Sequence, residues 1–162
     1  ANYVKESHIN EYPLSYRRSA RLCSLFNSTF HEESSLHLSD TSLENQLANI
    51  GPSFHDKLFE LIDKAHLDNK DVWKRANLDR KLFSKIQCNK NYHPKKKTVF
   101  ALCIALHLNL EESKDLLARA DWAFSPSSKV DLIVQKAIID KQYDIMELNI
   151  TLFKYTNETL GA

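Results

Sequence analysis

Between Asp68 and Ile86 the chain reads DNKDVWKRANLDRKLFSKI, with apolar residues at Val72, Ala76, Leu78, Phe83 and Ile86. That spacing predicts two short helices that share one buried face and meet at Asn77, where a left-handed turn residue is tolerated at modest cost. Asp68 and Asp79 stand where N-cap carboxylates accept hydrogen bonds from otherwise unpaired helix N–H groups. The helical period continues on both sides. Upstream, Ser53 caps a helix ending near Ala65 whose face is Phe54, Leu58, Leu61, Ile62 and Ala65, with Asp56 in the capping-box region. Downstream, TVFALCIALHL is apolar nearly all round, which predicts a central buried helix over Lys96 to Leu108. Asn109 and Glu112 then form a capping pattern for a fifth helix to about Ala120, burying Leu110, Leu116 and Leu117.

The flanks carry weaker patterns. Tyr3, Val4, Ile9 and Tyr12 before Pro13, and Tyr16, Leu22, Leu25, Phe26 and Phe30 after it, predict one or two amphipathic helices separated by the proline. Asp40-Thr41-Ser42 caps a short helix over Leu43 to Ala48, which Gly51-Pro52 ends. Beyond Trp122 to Pro126, a sixth helix from Lys129 to Asp140 carries Val130, Ile133, Val134, Ala137 and Ile138. A seventh starts at Asp144, with Glu147 completing another capping box before Ile145, Leu148, Leu152 and Phe153. The expected organisation is an N-terminal helical segment and linker over 1–52, a five-helix core over 53–120 and a C-terminal helical hairpin over 121–162.

Composition narrows the class. Only Gly51 and Gly161 supply glycine among 162 residues, so glycine-rich phosphate loops and a turn-rich β fold are poorly supported, and an all-α protein is expected. Cys23, Cys88 and Cys103 are odd in number and far apart, pointing to a reducing cytoplasm and away from a disulfide framework or zinc site. No run approaches a membrane span, and the start lacks the order of a signal peptide. Asn27, Asn149 and Asn157 match glycosylation acceptors, which without an export signal are accidental. A first residue of Ala is compatible with a piece of a longer chain. The net charge of +1 conceals an asymmetry: residues 68–97 hold ten positive side chains against three negative, while the rest holds 12 against 18. One concentrated basic segment suits local contact with an anionic polymer.

Ser53 to Ala120 resembles the lambda-repressor-like helix-turn-helix domains of bacterial and phage regulators. Asn69 stands where that family usually has a glutamine, Asn77 where it has the turn glycine, and Leu78, Phe83 and Ile86 at its buried positions. The resemblance implies duplex DNA as partner, with Arg80, Lys81, Ser84 and Lys85 entering a major groove while Asn69, Lys90, Lys95, Lys96 and Lys97 hold phosphates. Trp73 occupies a position that is usually small, so its bulk would splay the two helices, and Leu82 stands where a polar contact residue is frequent.

From NYVKESHINEY through FHDKLFELIDKAHLDNKDVWKRANLDRKLFSKI to DIMELNITLFKY, the chain also resembles the helical C-terminal region that follows a macro domain in some bacterial ADP-ribose-processing proteins. That implies a protein-interaction companion domain with a macro domain as partner. Its binding face would draw on Tyr12, Phe26, Phe30, Trp122 or Phe124. No ADP-ribose site or other cofactor is implied, because the macro domain and its phosphate loops are absent. His31, Glu32, Glu33 and His37 are the densest metal-like cluster, but no HExxH, closely spaced His/Cys set or GxSxG occurs, and a non-catalytic protein without metal is expected.

Overall fold

A computed structural model gives the fold and describes residues 40–161. The chain divides between Ile50 and Gly51. Before the division lies α1 (Asp40–Ala48), which starts ahead of the expected Leu43 because Thr41 and Ser42 join its first turn, where short polar side chains suit the free N–H groups. The helices expected from Tyr3 to Phe30 lie outside the described residues.

After the division come α2 (Phe54–Lys64), α3 (Asn69–Arg75), α4 (Arg80–Cys88), α5 (Lys96–Ala105), α6 (Leu110–Arg119), α7 (Lys129–Ile139) and α8 (Ile145–Thr156). The described residues form helices and no strand: the protein is all-α there. The axis is α5, in which every side chain from Thr98 to Ala105 is buried. A helix apolar all round needs neighbours on every side, and α3, α6 and α8 pack on it. In turn α2 packs on α6, while α7 pairs with α8 and touches α6.

Capping explains most of the starts. Ser53 Oγ accepts from the Asp56 N–H, Asp79 from Lys81, and Asp144 from Met146 and Glu147, while Asn109 and Glu112 make a complete reciprocal box. The Ser53 hydroxyl also donates to Asp56, which holds that exposed carboxyl below its ordinary range. Asp68 makes no side-chain cap bond, against expectation. Ser128 caps α7 through the Asp131 N–H, so the helix starts at Lys129 as expected, with a cap that the Ser-x-x-Asp spacing makes legible.

Six of the eight helix ends use a left-handed residue. His66, Asn77, His107, Asp121, Lys141 and Asn157 all have positive φ, each just past a helix. After the first five, the next N–H bonds back five residues, as in Leu67 to Ile62 O, Leu78 to Trp73 O and Leu108 to Cys103 O, the closure of a Schellman motif. This is why α5 stops at Ala105 and not at Leu108: His107 turns left-handed and Leu108 folds back into the core. Two assignments to the buried faces change. Ala65 caps α2 in an exposed position, and Phe153 points to solvent because the buried row of α8 is Ile145, Leu148 and Leu152.

Past α8 the tail returns to the core. The Asn149 side chain donates to Leu160 O (2.9 Å) and accepts from Leu160 N–H (2.7 Å), and Leu160 is buried. Gly161, at φ +81°, lies so close to Asn77 that a Cβ would stand 2.3 Å from its carbonyl oxygen.

Candidate functional site

The tight turn between α3 and α4 is built from Asn77 at φ +51° and buried Ala76 and Leu78. Behind it, Phe83 and Ile86 anchor α4 in the core. The Phe83 ring meets Phe59 of α2 edge-on at 6.3 Å, and His55 Nε2–H donates to Gln87 O at 3.0 Å. Burying one face this way leaves Arg80, Lys81, Ser84 and Lys85 exposed together, as their spacing anticipates. Arg80, Lys81 and Lys85 make no ion pair among the described residues.

Between α3 and α4 lies a groove of about 590 Å³ lined by Asn69, Lys70, Trp73, Arg80, Phe83, Ser84 and Gln87. It gathers three of the sequence-proposed residues, Asn69, Arg80 and Ser84, and adds Lys70 and Gln87. Gln87 was legible as the position seven after Arg80 on the same helix face. Trp73 forms part of this groove and is half-buried against the core, with Lys74 Nζ 5.9 Å from its ring centroid. Leu82 turns inward: it too is half-buried against the core, so no apolar side chain interrupts the exposed row of α4.

The remaining lysines separate. Lys90 is exposed beyond α4, near enough to Asp56 to help lower its pKa. The loop to α5 is fastened by Trp122, whose indole N–H donates to Pro94 O at 3.0 Å, and by His93 paired with Asp121 at 2.7 Å. Lys95 is exposed at the N-cap of α5, but its two successors are held internally. Lys96 pairs with Asp131, which is only 3 % exposed and also accepts from the Ser125 N–H and the Ser128 hydroxyl. Lys97 pairs with Glu158 at 2.6 Å.

Electrostatics distinguishes the two helix starts. The N-terminus of a helix carries roughly half a positive charge, so cations there are unfavourable by about 0.3–1 kcal/mol each. Both α4 and α5 begin with cations and have no acidic residue in the first turn. At α5, Asp131 and Glu158 arrive from the C-terminal region to offset them. At α4, among the described residues, the Asp79 cap alone offsets Arg80 and Lys81.

Elsewhere the chemistry is quiet. Burial pushes the Cys103 thiol up to about 12. His107, just past the end of α5, stacks flat on Tyr143 at 4.6 Å. Among the described residues no group of three or more His, Cys, Asp and Glu could hold a metal, and no helix is long and apolar enough to cross a membrane. The His31–His37 cluster, Tyr12, Phe26 and Phe30 lie outside the described residues. Phe124 is half-buried and stacked on Phe100, and Trp122 is bonded as above. Comparison with protein-family models, curated proteins and solved structures finds no match.

Proposed function

We propose that this chain is a non-catalytic helix-turn-helix module of the lambda-repressor-like kind that binds duplex DNA through α4. The observation that carries it is the exposed set Arg80, Lys81 and Lys85, without an ion pair among the described residues, two of them on a first helical turn where they work against the helix dipole. Such a placement is relieved by an anionic partner. In this arrangement Arg80 or Lys81 reads guanine edges and Ser84 and Lys85 lie along the same groove, with Asn69, Lys90 and Lys95 at phosphates. Lys96 and Lys97, already held by carboxylates, contribute less.

Binding to a mixed-sequence duplex, followed by fluorescence anisotropy, should weaken on the order of a hundredfold between 50 and 200 mM salt, as about four phosphate contacts imply. Arg80→Ala/Lys81→Ala should lose far more affinity than Lys129→Ala/Lys136→Ala. No binding at the lower salt removes the proposal.

A second reading, a companion domain for a macro domain, draws on apolar side chains exposed on α7, Leu132 and Ile139, and on Trp122, also exposed, while Tyr12, Phe26 and Phe30 lie outside the described residues. Tight, salt-tolerant association with a macro domain and no DNA affinity on the same preparation would favour it.

A further inference from the structure

On α8 the core takes Ile145, Leu148 and Leu152, yet Met146, Ile150 and Phe153 are 62 %, 70 % and 58 % exposed. Positions i, i+4 and i+7 stand in one row along a helix, so these three make a continuous apolar ridge at heptad spacing. Single exposed apolar residues are ordinary on a protein surface, whereas an ordered ridge on a helix already anchored in a core marks a contact surface. Along one flank stand Glu147 and Lys154, both exposed and without an ion pair among the described residues. The opposite flank carries Asn149 and Thr156 and no charge.

We propose that α8 is the interface of a homodimer, two copies packing ridge to ridge and antiparallel about a twofold axis near Ile150. In that register Met146 of each copy meets Phe153 of the other, and Ile150 meets its counterpart. Antiparallel helices bring like flanks together, so Glu147 of each copy faces Lys154 of the other, twice. A parallel pairing sets the charged flank against the uncharged one and makes neither pair. An isologous interface must be self-complementary, and this ridge is so in both shape and charge, a match that a foreign partner does not require. The contact is small: 12 residues of helix span about 18 Å, below a standard interface, so dissociation in the range of roughly 10–100 μM is expected.

Sedimentation equilibrium of the full chain without nucleic acid tests this, so the outcome is independent of DNA binding. The expected result is a concentration-dependent monomer–dimer equilibrium. Ile150→Glu, at an exposed site, should raise the dissociation constant at least about tenfold with unchanged far-UV circular dichroism. Glu147→Lys should weaken association, and Glu147→Lys/Lys154→Glu should restore it to within about threefold. A chain that stays monomeric up to about 500 μM, a dimer indifferent to Ile150→Glu, or a charge swap that fails to restore association overturns the proposal.

Discussion

Four of the six left-handed residues that end helices are of types other than asparagine, in a chain with only two glycines. Each keeps a Cβ where glycine has none, at about 1 kcal/mol. Lys141, exposed and without an ion pair among the described residues, is the cleanest place to measure this: Lys141→Gly should raise stability by about 0.5–1 kcal/mol in urea unfolding, against the usual loss on introducing glycine. Cys103 supplies a pH signature. Burial raises its pKa from 9.0 to about 12. Below pH 9 the thiol is protonated in both states and has no effect. Above it the unfolded chain loses the proton while the native chain keeps it, so stability should fall by on the order of 1 kcal/mol per pH unit until about 12. Cys103→Ala should remove that part of the slope, and peptide mapping after iodoacetamide treatment should find exposed Cys88 alkylated with Cys103 protected.

Among the elements, the starts of α4 and α5 carry the informative conflict between local preference and sequence. At α5 the conflict is resolved by Asp131, whose loss would strand Lys96, the Ser125 N–H and the Ser128 hydroxyl together. Asp131→Ala should therefore cost about 3 kcal/mol in denaturant unfolding. At α4 the conflict persists. Lys81→Glu should stabilise the fold by about 0.3–1 kcal/mol while reducing DNA affinity, a trade between stability and function. If Lys81→Glu leaves DNA affinity unchanged, the role given to α4 fails. The exposed row of α4 was legible because helical spacing and two anchors, Phe83 and Ile86, determine which side of the helix faces outward. Trp73 and Leu82 were not, because whether a large side chain splays a helix pair or tucks under it depends on the space left by neighbours distant in sequence.

Across the molecule, the tail joins the last helix to the turn between α3 and α4. The Asn149 side chain makes both hydrogen bonds to Leu160, and Gly161 passes against the Asn77 backbone with no room for a side chain. Asn149→Ala should release Leu160, lower stability by about 1–3 kcal/mol, and speed hydrogen exchange at Leu160 and at the α3–α4 turn together. Exchange that rises at the tail alone would mean that the turn holds its shape unaided.

What the chain determined by itself was local: the second unit's seven helices, most of their buried faces, the caps at Ser53, Asp79, Asn109 and Asp144, and the left-handed turn at Asn77. These follow from a 3.6-residue period and from hydrogen bonds spanning two to four positions. Tertiary structure alone decided how adjacent and chemically alike residues are used. Lys95, Lys96 and Lys97 are consecutive, yet Asp131, 35 positions beyond Lys96, holds it, and Glu158 holds Lys97 while Lys95 faces solvent. Leu152 is buried and Phe153 exposed beside it. Charge and hydrophobicity state what a side chain favours; only the packed neighbours state whether that partner is already inside the fold.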